Sequence, residues 1–239
     1  MRGAFVGAIA TAVTVAVGVT GCGADAPATG EATLTIYVSA PLTGPGRADG
    51  QAVAEGAREA LADAGAEAGG YEIAAKYLDV AGRNETRFDP VTAAANARTA
   101  TEDSTTIAYI GELDSGATRT SLPITNSAGI LQVAPGSGAS DLVTDETYND
   151  DLPTEVQGTG ERTYAQLVPT YEPGERPHAS DPDDLGYEAM SSGLAAIGRA
   201  DDPADRGSVV DAYFDGTERD SRLGRYRITD TGEFEAVGE

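Results

Sequence analysis

Two segments of the chain set hydroxyl groups among glycines just where an apolar run gives way to a loop. Gly111-Glu-Leu-Asp-Ser-Gly-Ala-Thr118 follows one such run and opens a helical pattern, and Ala134-Pro-Gly-Ser-Gly-Ala-Ser140 follows the next. Ser115 in the first segment and Gly136, Ser137 and Gly138 in the second bring hydroxyls and backbone N–H groups to strand ends beside a helix N-terminus. Such a place suits a carboxylate, because the start of a helix carries partial positive charge and N–H groups without intrahelical partners. The same residues also serve plain structural ends, Ser115 as a helix cap and Ser137 as a turn residue. The residues alone leave these two readings level.

Other candidate chemistry is thinner. Gly44-Pro-Gly46-Arg-Ala-Asp-Gly50 lies between a strand and a helix, where a dinucleotide fingerprint would read G-x-G-x-x-G. Here the third glycine comes one residue late, and Pro45 removes a backbone donor from the cradle. The segment reads instead as a glycine-rich mouth at the carboxyl end of a strand, where open α/β sheets bind ligands. His178 is the single histidine and falls in a Pro-rich connection with nothing to hold it as a base, so it reads as a surface residue. Asp79, Asp89, Asp114, Asp181, Asp183 and Asp184 do not repeat at a metal-loop spacing and read as caps and solvent charge. Asn84-Glu85-Thr86 has the form of a glycosylation sequon and carries no weight here. With no nucleophile–base couple and no metal cluster, the sequence points away from an enzyme and asks for no cofactor.

The elements that must position these residues alternate. Ala32–Ser39 is a strand by its β-branched and aromatic content. Pro41–Gly50 is a turn-rich loop. Ala52–Ala66 is a helix, with Ala54, Ala57, Leu61 and Ala64 at helical spacing and Gly69-Gly70 as its stop. Tyr71–Leu78 is a strand, Pro90–Glu102 a helix with proline at a tolerated first-turn position, Thr105–Gly111 a strand, Ser115–Ala128 a helix and Gly129–Ala134 a strand. The strands are nearly continuous apolar runs, as expected when helices cover both sheet faces. The expected fold class is α/β, a right-handed, doubly wound parallel sheet. Beyond Pro135 the pattern loosens: a strand over Arg162–Val168, an exposed Pro/Asp/Gly-rich stretch to Asp184, helices over Leu185–Arg199 and Asp205–Phe214, and a hairpin from Gly224–Thr229 and Gly232–Val237.

Composition narrows the partners. The chain has 239 residues, 40% of them hydrophobic, and a formal net charge of −23. That charge excludes a phosphate-tracking nucleic-acid binder, and an anionic membrane surface would repel the chain, so membrane contact has to come through a lipid. Cys22 is the single cysteine, which excludes a disulfide and a thiolate metal site. It ends Val19-Thr20-Gly21-Cys22, after an uncharged, mostly apolar stretch from Gly3 to Gly18 that follows Arg2, the only cationic side chain before the cysteine, the layout of a secretory signal. The apolar stretch is short for a membrane span, which takes about 20 residues. The tetrapeptide resembles a bacterial lipobox, which implies lipidation at Cys22 and an extracytoplasmic, membrane-anchored protein. Residues 23–32 read as a flexible tether.

Taken in order, Ser39-Ala-Pro-Leu-Thr-Gly-Pro45, Gly56-Ala57, Lys76-Tyr-Leu-Asp79, Asp89-Pro90, Tyr109-Ile-Gly111 with Ser115, and Gly129-Ile-Leu-Gln-Val-Ala-Pro135 resemble the periplasmic leucine/isoleucine/valine-type solute-binding proteins that feed ABC importers. Gly186-Tyr-Glu-Ala-Met190 and Leu223–Gly232 resemble late elements of the same family. The resemblance implies a type I binding-protein fold, a small amino-acid-like solute, an ABC permease as partner, and a first lobe that holds the solute's carboxylate and ammonium. It implies that Ser115 hydrogen-bonds the carboxylate, and that Gly136, Ser137 and Gly138 form the loop offering a carbonyl and a hydroxyl. Asp49 falls where relatives carry an aromatic residue at the cleft mouth, a departure that weakens the case for an apolar amino acid.

Those proteins have two lobes, and a lobe is a domain of order 100 residues. The second should fall between Val168 and Tyr171, where this chain has almost nothing. The expected organisation is therefore a signal peptide (1–21), a tether (22–32), a first lobe (33–168), an exposed connection (169–184) in place of the second lobe, and C-terminal helices and a hairpin (185–239) that complete the first. One lobe leaves about half of a ligand wet where a closed site buries about 70–90%, so weak binding is expected. The alternatives are a lobe that serves as an interaction module, pairing with a second copy of itself, or a shortened product without activity.

Overall fold

The computed structural model describes residues 32–82, 86–143, 162–172 and 180–238. Cys22, Asn84, Glu85 and His178 lie outside the described residues. Glu31–Glu239 forms one compact unit.

Its elements run β1 (Thr33–Ala40), α1 (Arg47–Asp63), β2 (Glu67–Ala68), β3 (Tyr71–Asp79), α2 (Pro90–Glu102), β4 (Thr106–Ile110), α3 (Ser115–Ser127), β5 (Leu131–Ala134), β6 (Tyr164–Gln166), α4 (Pro182–Arg199), α5 (Arg206–Tyr213), β7 (Arg219–Ser221), β8 (Gly224–Ile228) and β9 (Phe234–Ala236). The main sheet is ordered β2-β3-β1-β4-β5-β6, and β7-β8-β9 form a second sheet. From β3 to β6 every pairing is parallel, while the two-residue β2 joins β3 antiparallel at the edge. This is the expected doubly wound α/β fold of a type I periplasmic-binding-protein lobe. The strand order reverses between β1 and β4, so the crevice that such sheets offer a ligand lies outside the carboxyl ends of those two strands.

The parallel register places alternate residues of neighbouring strands on a common face. Ile36 and Val38 of β1 stand beside Ala108 and Ile110 of β4, and Leu131 and Val133 of β5 continue the row. This aliphatic face packs with α1 and α4 in one buried cluster. On the opposite face lie Thr35, Tyr37 and Ser39 of β1, Tyr109 of β4 and Gln132 of β5, all buried, under α2 and α3.

The helices α1 and α4 meet through glycine. A Cβ on Gly56 would lie 2.0 Å from the Asp183 carbonyl oxygen, and one on Gly186 would lie 2.0 Å from the Val53 carbonyl oxygen. Backbone therefore touches backbone where the two helices cross.

Several boundaries differ from the expectation. Helix α1 begins at Arg47 rather than Ala52, which moves Asp49 and Gly50 out of the loop and into the first turn. The cause is a close approach: a Cβ on Gly50 would sit 2.1 Å from the Pro41 carbonyl oxygen, so this residue packs as helix against the chain leaving β1. Helix α4 begins at Pro182, with the Asp181 carboxylate accepting from the Asp183 N–H as its cap. The C-terminal hairpin carries a third short strand, β7, paired with β8.

Candidate functional site

The residues that leave β4 and β5 do converge. Ser115 opens α3, and the Ser137 hydroxyl donates to Ser115 Oγ at 3.2 Å. Ser115 is not the cap: that position belongs to Asp114, whose side chain makes no capping hydrogen bond. Ser115 Oγ also receives the Ala139 N–H at 3.3 Å and lies 2.7 Å from the Tyr171 hydroxyl. Gly136, Ser137 and Gly138 are buried. The Ser137 carbonyl is taken by the Tyr164 hydroxyl at 2.9 Å. The Gly138 carbonyl accepts the Tyr171 N–H at 2.9 Å. A Cβ on Gly138 would come within 2.6 Å of Val168 Cγ2 and 3.1 Å of Tyr171 Cε1, so a glycine is what lets residues 168–171 lie against this loop.

Asp49 lies in the first turn of α1. Its carboxylate is 3.1 Å from Arg87 Nη2, and Arg87 Nε is 3.4 Å from Asp114 Oδ1, so one guanidinium ties the first turn of α1 to the start of α3. The other oxygen of Asp114, Oδ2, is buried and has no hydrogen-bond partner among the described residues. A buried acceptor without a donor is costly and marks a place where a donor would be welcome.

Beneath this edge lies a residue that the sequence did not single out. Glu112 leaves the end of β4 fully buried. Tyr109 Oη donates to one carboxylate oxygen at 2.6 Å and Ser39 Oγ to the other at 2.9 Å. Asn96 of α2 donates in turn to Ser39 Oγ at 3.1 Å. Burial pushes the Glu112 carboxyl up to about 7; the two hydroxyl donors oppose the rise and the nearby Asp114 charge adds to it. On the β5 side, Gln132 Nε2 donates to the Gly111 carbonyl at 2.9 Å and to Ser121 Oγ at 3.0 Å, while its Oε1 accepts from Thr125 Oγ1 at 2.5 Å. Ser121 and Thr125 belong to α3, so this amide fixes the helix that carries Ser115.

Tyr171, Glu112 and Arg87 are the residues that sequence reasoning missed. Glu112 left one trace, an acidic residue directly after a buried strand. Tyr171 left none, since its role comes from the short path between β6 and α4.

Among the described residues no group of acidic or histidine side chains could hold a metal ion, and no helix is long and apolar enough to cross a membrane. A groove of about 440 Å³, lined by Ala60, Asp63, Tyr187 and Leu194 among others, opens between α1 and α4 and includes none of the residues above.

The architecture is shared with solved structures. A leucine-binding protein, LivK, of Thermotoga maritima superposes with a TM-score of 0.62 at 16% identity, over 84% of this chain and 93% of that one. The branched-chain amino-acid binding protein LivJ of Streptococcus pneumoniae, in complex with isoleucine, gives 0.56 at 13% identity, over 85% and 98%. An ABC-transporter solute-binding protein of Rhodopseudomonas palustris, in complex with 3,4-dihydroxybenzoic acid, gives 0.61 at 12% identity, over 84% and 90%. No family model and no curated protein sequence matches the chain. The similarity is thus one of fold, carried by structure at identities where sequence is nearly silent.

Proposed function

We propose that this protein is a solute-binding lobe that holds a small amino-acid-like solute weakly at the carboxyl edge of its sheet, on behalf of an ABC permease. The observation that carries the proposal is the meeting of Ser115 and Ser137 at 3.2 Å, beside a helix start, at the edge where this fold binds ligands. Three structures of the same fold are named for leucine binding or contain isoleucine or a dihydroxybenzoate, and all three ligands carry a carboxylate. In this reading the carboxylate is held by Ser115 and by backbone groups of Gly136, Ser137 and Gly138. Asp49, bound to Arg87, edges the site. The role is binding, not catalysis.

Affinity is expected to be low. Leaving half of a leucine-sized side chain in water costs about 1 kcal/mol, and each missing charge-assisted hydrogen bond costs about 1.5–3 kcal/mol. Together these weaken binding by about two to five orders of magnitude relative to a closed two-lobed site, at about 1.4 kcal/mol per tenfold. NMR titration tolerates such weakness. L-isoleucine should shift the amides of Ser115 and Ser137, and Ser115→Ala should weaken binding by about tenfold, the value of one hydrogen bond to a charged group. If those amides do not move at tens of millimolar amino acid, against a salt control, the solute-binding proposal fails. The lobe is then an interaction module whose loop hydroxyls serve only its own packing.

Attachment at Cys22 belongs to the same proposal. A lipid there would hold the lobe at the extracytoplasmic face of the membrane, the side from which an importer is loaded. Cys22→Ser should release the protein from the detergent phase or leave it as precursor, and unchanged partitioning would refute the anchor.

A further inference from the structure

Tyr171 meets the candidate site with three polar groups at once. Its N–H donates to the Gly138 carbonyl at 2.9 Å, its carbonyl accepts the Ser140 N–H at 2.8 Å, and its hydroxyl lies 2.7 Å from Ser115 Oγ. Hydrogen counting fixes the direction of the last contact. A serine hydroxyl has one hydrogen and two acceptor sites. Ser137 Oγ and the Ala139 N–H both donate into Ser115 Oγ, so the Ser115 hydrogen goes to Tyr171. Every polar contact that Ser115 could offer a carboxylate is already spent, and the group receiving its hydrogen is a neutral phenol oxygen. The Tyr171 ring packs against the buried cluster of Leu122, Ala134, Ala139, Leu142, Val143 and Tyr164, yet is itself only partly buried.

We infer that Tyr171 is the resident occupant of the carboxylate site, supplied by the chain itself, and that a solute binds by displacing the Tyr171 hydroxyl from Ser115. This rests on the solute-binding reading above. The exchange has a chemical direction. A hydrogen bond to an ionised acceptor is roughly twice as strong as a neutral one, so a carboxylate outcompetes the phenol for the Ser115 hydrogen, whereas an amide or an alcohol gains nothing by the swap. The backbone pairing of Tyr171 with Gly138 and Ser140 need not open, because rotation of one side chain frees the site. Tyr171 thereby acts as a filter that admits carboxylates and rejects their neutral analogues, and as a competing internal ligand it lowers the affinity of the lobe further.

The test compares the full-length chain with Tyr171→Phe and Tyr171→Ala, using L-isoleucine and L-isoleucinamide as probes and circular dichroism as the check on folding. Tyr171→Phe keeps the ring and the backbone pairing and loses only the competing hydroxyl. It should bind isoleucine more tightly by up to about tenfold, the value of one neutral hydrogen bond, and Tyr171→Ala by at least as much. Isoleucinamide should not bind the native chain and should begin to bind once Tyr171→Phe or Tyr171→Ala has removed the competing hydroxyl. If the native chain binds isoleucine and Tyr171→Phe binds it equally, the resident-occupant proposal is overturned and the solute-binding reading stands. If Tyr171→Phe binds more weakly, the hydroxyl is a ligand contact and the proposal is likewise overturned. If no form binds isoleucine, both readings fall together. Should Tyr171→Ala not fold, Tyr171→Phe alone decides.

Discussion

On the α1/α4 side of the sheet, Ile36, Val38, Ala108, Ile110, Leu131 and Val133 present nothing but methyl and methylene groups, and the two helices above them cross backbone to backbone at Gly56 and Gly186. On the α2/α3 side the same strands turn out Thr35, Tyr37, Ser39, Tyr109 and Gln132, and each holds a hydrogen bond. The aliphatic side is fixed by volume, which is non-directional and unforgiving of an added atom. The polar side is fixed by direction: Gln132 binds α3 through Ser121 and Thr125, and Asn96 and Ser39 bind α2 and β1 to Glu112. Ser115 sits at the head of α3, so the candidate site inherits its position from these hydrogen bonds as well as from the close approaches at Gly136 and Gly138.

The sharpest way to break this contrast is to add one methyl group to the packed side. Gly186→Ala would place its Cβ 2.0 Å from the Val53 carbonyl oxygen and 2.7 Å from Val53 Cα, and neither backbone atom can yield without parting the helices. We expect a loss of about 3 kcal/mol or more, or failure to accumulate folded protein. Gly193→Ala is the control on the same helix, since a Cβ there would meet nothing within 4 Å. It should be neutral or stabilise by up to about 1 kcal/mol, through helix propensity alone. Thermal unfolding of the two variants checks both, and equal midpoints would refute the close-packing account.

The packed side was legible in the sequence and the polar side only in outline. Apolar runs flanked by glycine and proline marked β1, β3, β4 and β5, and Pro90 with Asp89 marked the start of α2, where the Asp89 carboxylate does accept from the Val91 and Thr92 N–H groups. Ser115 and Ser137 were legible as hydroxyls at strand ends. Their union was legible only through the family resemblance, because it depends on a parallel pairing of β4 with β5 that local pattern does not fix. Asp49 was misplaced in a loop because the approach of Gly50 to Pro41 is a tertiary contact, and such contacts override local turn chemistry. Tyr171 belongs to the same class: no local pattern says that a residue just past β6 will lie along Gly138. The β1 sequence Thr-Leu-Thr-Ile-Tyr-Val-Ser did alternate, with threonine, tyrosine and serine on one side. That period of two, passed over when the strands are read as apolar runs, marks a polar face within a strand that is buried on both.

A gentler change separates the two sides by pH. Glu112 is a carboxyl with no cation against it, held by two hydroxyl donors in a fully buried place. Burial wins over those donors and lifts its pKa from 4.5 to about 7. Between those values the folded protein keeps a proton that the unfolded chain has released. The stability tied to Glu112 is therefore fully present below about pH 4.5 and is lost as pH rises through 7, a difference of about 3 kcal/mol at 1.36 kcal/mol per pH unit. Asp79 and Asp215 are held below the usual carboxylate range despite partial burial, by the Thr43 hydroxyl and backbone N–H groups for the first and by Thr217 for the second. Their stabilisation is lost as pH falls below about 4, so it does not overlap the Glu112 window. Glu112→Gln is neutral at every pH, and its amide can donate to Ser39 Oγ while Tyr109 donates to its carbonyl. At pH 8 the variant should be more stable than the native chain by up to about 3 kcal/mol, and at pH 5 the two should be close. Urea unfolding at both pH values reads this directly. The same pH dependence in both proteins would show that Glu112 is solvated and that the polar side of the sheet is open to water at its carboxyl edge.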